Sequence, residues 1–175
     1  MRIERFYSVR LVSLTEPIDR NVTIPELVVR FENNEDDGLG EPLPSGVMRV
    51  FELYGERDVF AGEAEVGDRP VGLPVELTIG RAQNVMLEMA TAWMEGNTAR
   101  DQREVVVTTE HRIVNNKSVP IDLEIRHGVE YYYSNLNVDR TSRPMRRKYG
   151  DLAWRFVVPP GEDLLSYQLS ARTPR

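Results

Sequence analysis

Apolar and polar residues alternate along much of the chain. In residues 105–113, Val105, Val107 and Ile113 fall on one row, and the polar Thr108, Glu110 and Arg112 fall on the other. This is the period of a half-buried β-strand. An Asn-Asn-Lys-Ser stretch follows, and a second alternating row runs over residues 121–125. Two alternating rows joined by a turn signal predict a β-hairpin.

The same pattern recurs near the end of the chain. Trp154, Phe156 and Val158 alternate with other residues, a Pro-Pro-Gly turn follows, and residues 165–169 alternate again. This stretch predicts a second hairpin. Further strands are predicted at Ile3–Val12, Leu27–Glu32, Val47–Tyr54, Val59–Val66, Val75–Ile79, Val85–Met94 and Val129–Tyr133.

The predicted elements are almost all strands. No window of helical length shows a clean apolar stripe with a period of 3.6 residues. Short strands separated by turns indicate a mainly β protein with an antiparallel two-sheet β-sandwich, immunoglobulin-like or similar, because each apolar sheet face must be covered by a second layer. A closed β-barrel is the alternative, since strand spacing does not distinguish the two.

Composition narrows the possible chemistry. The chain has 175 residues, the length of one ordinary domain, and has no cysteine and two histidines, which excludes thiol chemistry and Cys-ligated metal centres. Its net charge is −6, but residues 1–80 hold 8 Arg against 16 Asp and Glu, whereas residues 81–175 hold 14 Lys and Arg against 12 Asp and Glu. No apolar run approaches the roughly 18 residues of a membrane span, and the first ten residues lack the apolar stretch of a secretory signal.

Residues 28–51 carry the most distinctive motif. A strand ending in Asn33 is followed by Gly38-Leu39-Gly40, by Pro42-Leu43-Pro44-Ser45-Gly46 and by the strand Val47–Phe51. We predict that Gly38, Gly40 and Gly46 supply positive φ angles or close backbone approach, and that the two prolines stiffen the crossover. The motif resembles the bacterial family catalogued as domain of unknown function 4139. Further matching segments are Ile79–Ala82, Asn115–Pro120 and Trp154–Tyr167, and the likeness covers Val28 to Ala171.

The resemblance implies a β-sandwich at the C-terminal end of a longer, usually exported bacterial protein. A mucoidy-inhibitor-like subgroup implies a cell-envelope setting. We therefore expect residues 1–175 to be a single sandwich domain excised from the C-terminal part of such a protein, with a periplasmic or exported location. Other domains of the parent chain, or another envelope protein, are the expected partners. The family supplies no established catalytic residue or ligand.

One connection combines aromatic and cationic side chains. Three consecutive tyrosines at residues 131–133 precede a stretch rich in arginine that ends at Tyr149. Such a stretch can keep a sheet edge from pairing, or it can contact a protein or a glycan. The acidic charge of the whole chain argues against nucleic acid. The candidate binding residues are Tyr131, Tyr133, Arg143, Arg146 and Arg147.

Candidate catalytic groups are few. If residues 105–125 form a hairpin with both apolar rows on one face, Glu110 lies opposite Glu124, at the spacing of the two acids of a retaining glycosidase. On the same register His111 and His127 are too far apart to share a metal. His111 is then predicted to be a hydrogen-bonded histidine of the core or the sheet boundary.

These considerations favour binding over catalysis. The residues supply no convergent nucleophile, base and orienting group, so we expect no catalytic residue, metal or cofactor. The leading hypothesis is a non-enzymatic binding or structural domain of a cell-envelope protein. The alternative is a carbohydrate-binding or carbohydrate-active domain that uses Trp93, Trp154 or residues 131–133 as sugar platforms and Glu110 and Glu124 as acids.

Overall fold

The computed structural model describes residues 3–12, 18–36, 39–95, 102–128 and 134–174. Within these ranges the regular structure is all strand, without a helix. The strands are β1 (Ile3–Val12), β2 (Ile18–Thr23), β3 (Glu26–Glu32), β4 (Gly46–Tyr54), β5 (Arg57–Val66), β6 (Pro74–Arg81), β7 (Val85–Glu95), β8 (Gln102–Asn115), β9 (Ile121–Gly128), β10 (Ser134–Thr141), β11 (Arg146–Lys148), β12 (Asp151–Val158) and β13 (Gly161–Pro174).

The chain folds as two compact units. The first unit comprises Met1–Tyr7 and Glu26–Ala82, and the second comprises Ser8–Pro25 and Gln83–Arg175. Strand β1 begins in the first unit and ends in the second. The expectation of one domain excised from a longer protein stays a prediction.

The first unit is built on the antiparallel pair β3 and β6, in which Val29 lies opposite Leu77 and Phe31 opposite Val75. Strand β1 is the other neighbour of β3, and β4 and β5 form a separate two-stranded hairpin. Alternate side chains of β3 and β6 are buried together, because one face of the pair is covered by the hairpin. The buried cluster consists of Val29, Phe31, Val66, Val75, Leu77 and Ile79, and Met48, Val50, Ala61 and Ala64 of the hairpin pack against it.

The glycine and proline motif connects β3 to β4. Gly40 has a φ of 78°, and a Cβ at this position would lie 2.5 Å from a neighbouring side-chain carbon, so glycine is required there as predicted. The prediction is wrong for Gly46, which has neither a positive φ nor an atom within 4 Å of its Cβ position. Gly38 lies outside the described residues. The Asn33 side chain donates to the carbonyl of Glu41 at 2.9 Å, which holds the segment closed.

The second unit is an antiparallel two-sheet β-sandwich, as predicted. One sheet has the order β11-β12-β9-β1 and the other β10-β13-β8-β7-β2. Trp154 of the first sheet stacks on Tyr167 of the second with ring centroids 4.3 Å apart, so the two apolar faces are in direct contact. Among the described strands β11, β10 and β2 are sheet edges. The closed barrel is therefore wrong.

Neither predicted hairpin forms. Strand β8 pairs with β7 and β13, whereas β9 pairs with β12, so the turn after Asn115 carries the chain from one sheet to the other. The turn between β12 and β13 does the same. A hairpin and an arch between sheets both turn one apolar row towards the core, and alternation within a strand does not reveal whether its successor lies beside it or opposite it.

Three strands were not predicted, and one predicted strand lies outside the described residues. Strands β2, β10 and β11 are edge strands with polar sequences, so their alternation is weak. The latter two fall in the stretch that the sequence suggests is a long connection. The strand predicted at Val129–Tyr133 cannot be compared, because residues 129–133 are outside the described ranges.

Candidate functional site

The three predicted binding residues that the structure describes, Arg143, Arg146 and Arg147, do not converge on one site. Tyr131 and Tyr133 lie outside the described residues. Arg143 precedes β11, and its guanidinium donates to Asp163 at 2.5 Å and lies 4.2 Å from the ring centroid of Phe156. An ion pair and a cation–π contact with its own unit hold this side chain. Arg143 is therefore part of the packing of β12 and β13.

Arg146 and Arg147 are separated by the alternation of β11. Arg146 lies opposite Ala153 and donates to Glu124 at 3.2 Å, whereas Arg147 lies opposite Leu152, whose side chain belongs to the buried face of β12. Successive residues of a strand point to opposite faces. The two arginines are thus presented to different sides of the sheet, and only Arg146 belongs to the cluster described next.

Glu124 is the centre of a charged cluster. Its side chain is completely buried, which is unusual for a carboxylate. It accepts a hydrogen bond from Lys148 Nζ at 2.8 Å and one from Arg146, and Arg126 Nε lies 3.7 Å away. A buried carboxylate is tolerated only where such partners replace water. Three cations around one carboxylate leave an excess of positive charge.

Two further ion pairs extend this cluster across the same face of the sheet. Arg10 donates two hydrogen bonds to Asp151, at 2.8 and 3.2 Å, and this pairing raises the pKa of Arg10. Arg155, directly opposite Glu124 on the neighbouring strand, forms a forked contact with Asp122, the shortest distance being 2.7 Å. Planar guanidinium and carboxylate groups favour this two-point geometry.

We call this surface the basic face. It contains five cations and three carboxylates, a net charge of +2 within a chain whose total is −6. The carboxylates of Glu124 and Asp151 are buried, whereas the side chains of Arg10 and Arg146 are about half exposed (52% and 55%). The surface therefore presents mainly guanidinium groups to solvent. Its members are Arg10, Arg126, Arg146, Lys148, Arg155, Asp122, Glu124 and Asp151.

A strained aromatic residue adjoins the basic face. Tyr149, in the turn between β11 and β12, has a φ of 52° and is 65% exposed, and its ring centroid lies 5.4 Å from Lys148 Nζ. Bulky residues rarely adopt positive φ, which usually falls to Gly, Asn or Asp in such turns. The turn holds the ring beside the cations at some cost in backbone energy.

The two histidines lie in the interior of the sandwich. The Tyr167 hydroxyl is 2.6 Å from His127 Nδ1 and 3.1 Å from His111 Nε2, so the prediction that the histidines are far apart is wrong. The predicted distance assumed that β8 and β9 are paired side by side, whereas they face each other across the core. The prediction that His111 is a hydrogen-bonded core histidine is confirmed.

Burial sets the protonation of this group. Desolvation, with a smaller contribution from the charge of His127, lowers the pKa of His111 to about 3. Burial raises the pKa of Tyr167. A hydroxyl has one hydrogen to donate, so at least one of the two imidazoles donates to the tyrosine oxygen. Trp154 completes the group and donates to Thr141 Oγ1 at 2.9 Å.

The predicted pair of acids is not formed. Glu110 lies on β8 opposite Ser166, and Glu124 lies on β9 opposite Arg155 in the other sheet. The two strands are not neighbours, so the spacing of a retaining glycosidase does not arise here. Trp154 is fully buried, and Trp93 is half-buried. Burial removes Trp154 as a sugar platform.

The other sheet carries a shallow polar cavity of about 410 Å³ on its outer face. Arg140, Gln168 and Thr108 form a row across β10, β13 and β8, each directly opposite the next. Ser166 lies one row away along β13 and also lines the cavity. Side chains of this kind can hydrogen-bond to a hydroxylated or carboxylate-bearing ligand.

Sequence reasoning found part of the basic face and missed its centre. Glu124 and Arg126 alternate with the apolar Leu123 and Ile125, a pattern that by itself predicts solvent exposure for both. Glu124 is buried because long side chains of β11 and β12 cover it. This could not be predicted, since β11 has three residues and therefore almost no periodic pattern. The Arg-Arg-Lys sequence was the available clue.

No family model, curated protein or solved structure matches the chain. The resemblance to domain of unknown function 4139 stays a prediction. Among the described residues there is no helix of the length and apolarity needed to cross a membrane.

Proposed function

We propose that the protein is a non-enzymatic binding module that recognises an anionic group on its partner through the basic face. The observation that carries this proposal is the exposure of guanidinium groups over buried carboxylates. Arg146 donates a hydrogen bond from one nitrogen to Glu124, and among the described residues no other hydrogen-bond acceptor engages its guanidinium, on a side chain that is 55% exposed. Carboxylate, phosphate and sulfate groups fit guanidinium in this way.

The position of the histidines also favours binding over catalysis. His111 and His127 are the only histidines of the chain, and both are buried with their hydrogen bonds directed to a buried tyrosine. A general acid or base must reach its substrate. The envelope setting is supported by the family resemblance alone, and we propose it on that basis.

Binding of fluorescent poly-L-glutamate at low ionic strength tests this function. We expect Arg146→Gln to weaken binding by up to about fivefold, since one exposed charge pair is worth up to about 1 kcal/mol. Arg146→Lys should keep most of the affinity because the charge is retained. Arg81→Gln, which removes an exposed arginine of the first unit, is the control. Binding that is absent in the native protein, or equal in native protein and Arg146→Gln, would contradict the proposal.

The polar cavity supports carbohydrate binding as a second candidate function. Its guanidinium, amide and hydroxyl groups suit a sugar that carries a carboxylate. A glycan array that includes uronic-acid oligosaccharides tests it. Binding should be lost in Arg140→Ala/Gln168→Ala and kept in Arg146→Gln. An array without signal for the native protein would refute this second candidate function, and it would not bear on the proposal for the basic face.

A further inference from the structure

The β4–β5 hairpin exposes a large apolar surface. Beyond the part that packs on the core of the first unit, residues 51–60 form what we call the hairpin arm. Five large apolar or aromatic side chains within these ten residues are between 50% and 82% exposed. Phe51, Leu53 and Phe60 lie on one face of the hairpin and Tyr54 and Val59 on the other, because directly opposite residues of an antiparallel pair share a face. Exposed apolar residues are ordinary when scattered, but so many within ten residues mark an interaction surface. The five are Phe51, Leu53, Tyr54, Val59 and Phe60.

The arm begins at an irregularity in the hairpin. Val50 lies opposite Gly62 and Phe51 opposite Phe60, so Ala61 is an extra residue in β5. A Cβ at Gly62 would lie 2.3 Å from the Ile79 carbonyl oxygen, and only glycine permits this approach. The close contact fixes the base of the hairpin on β6. Past this point the arm's apolar side chains do not join the buried cluster of the unit.

The two aromatic rings at the base of the arm pack against each other and stay exposed to solvent. Phe51 and Phe60 meet edge to face, with centroids 5.7 Å apart. They line an open cavity of about 660 Å³ together with Arg49, Glu63 and Ile79. Edge-to-face packing keeps both rings in place while leaving each about half exposed.

The hairpin is acidic as well as apolar. Residues 46–66 contain five Asp and Glu against two Arg, a net charge of −3. Arg5 pairs with Glu52 at 2.6 Å and Arg49 with Glu63 at 3.2 Å. Within the arm, the acids Glu56 and Asp58 are exposed, and Glu65 is exposed at the base of the hairpin.

We infer that the hairpin arm docks on the basic face of a second copy of this chain. This inference rests on the proposed function, because it names the anionic partner of that face. Guanidinium groups bind carboxylates through paired hydrogen bonds and stack on aromatic rings, and the arm offers both. The basic face also has an apolar spot, Val157, which lies opposite Asp122 and is 63% exposed. The charges, −3 on the hairpin and +2 on the face, are complementary.

The contact joins two different surfaces. Each copy has one arm and one basic face, so the association is head to tail, and it continues from copy to copy unless a ring closes. An arm-to-arm contact would bring two net charges of −2 together, because residues 51–60 hold three acids against one arginine. A ten-residue arm is smaller than the roughly 20–30 residues per side of a stable interface, so the association is weak and sensitive to salt.

Sedimentation velocity with two complementary variants tests the inference. The arm variant is Phe51→Ser/Phe60→Ser and the face variant is Arg146→Gln/Val157→Ser, all at exposed positions that can change without loss of a core side chain. The native protein should associate at high concentration and low ionic strength, at least tenfold more tightly than at high ionic strength. Each variant alone should be monomeric. Val119→Ser, a change at an exposed apolar residue elsewhere, should associate like the native protein.

The decisive sample is the mixture of the two variants. It contains one intact arm and one intact face, so it should form dimers that grow no further. A mixture that stays monomeric while the native protein associates would overturn the inference in favour of a contact between like surfaces. A native protein that is monomeric at every concentration and ionic strength would also overturn it. The arm variant keeps the basic face, so its binding to poly-L-glutamate reports on the proposed function independently.

Discussion

Acidification should destabilise the protein through His111. This histidine is buried in the sandwich, and its pKa falls from the ordinary 6.5 to about 3 because the core disfavours the charged form. In the unfolded chain it takes up a proton near pH 6.5, so between the two pKa values the unfolded state binds more protons. Stability is therefore highest above pH 6.5, is lost progressively as the pH falls towards 3, and loses nothing more through this group below that value.

The size of the effect follows from the two pKa values. Between pH 7.5 and pH 5.0 the free energy of unfolding should fall by about 2 kcal/mol through His111 alone, at roughly 1.4 kcal/mol for each pH unit below the unfolded pKa. The loss is a large fraction of the 5–15 kcal/mol that stabilises a typical domain.

The free energy of unfolding at pH 7.5 and pH 5.0 can be measured by urea unfolding monitored through tryptophan fluorescence. In His111→Gln the titrating group is gone, so the loss of stability between pH 7.5 and 5.0 should be smaller than in the native protein by about 2 kcal/mol. Ile113→Val, two residues along the same buried row, is the control. It lowers stability by about 1 kcal/mol but should keep the full pH dependence. The reasoning fails if the native protein and His111→Gln lose the same stability on acidification.

Two further predictions concern residues that hold turns and strands in place. Asn115 is buried, and its Nδ2 lies within 3.2 Å of the carbonyl oxygens of Val119, Val158 and Pro159. Asn115→Asp should therefore lower the free energy of unfolding, measured with urea, by about 3 kcal/mol or more, because a carboxylate would face those oxygens without a hydrogen to donate. Asn116→Asp, at an exposed position, should change it by no more than about 0.5 kcal/mol. Gly62→Ala should lower the midpoint of thermal unfolding by several degrees, roughly 2 kcal/mol, through the clash with Ile79, and Gly46→Ala should have little effect. Equal effects in either pair would contradict the geometry given above.

Some of the candidate site could be read from residue types. The run Arg146-Arg147-Lys148 next to Tyr149 indicated the region of the basic face, because clustered cations beside an aromatic ring rarely serve a core. Its role in binding stays a prediction. The partners of those cations could not be found in this way. Glu124 lies more than twenty residues before Arg146, and only the order β11-β12-β9 brings the two together. The sequence also could not show that Arg146 and Arg147 lie on opposite sides of the sheet, since a strand of three residues gives no reliable period from which to assign its faces. Arg147 as a binding residue stays a prediction.

The amino-acid sequence alone determined that the chain is built of strands with one apolar face, and hence that these strands pack as layers. Side-chain alternation is a property of each strand by itself, and it is the same whichever strands pair with that strand. Tertiary structure alone decided which strands became neighbours. Strands β8 and β9 lie in different sheets, which placed His111 and His127 on one tyrosine hydroxyl and kept Glu110 away from Glu124. Pairing is decided by the packing of the whole core, and no single strand carries that information.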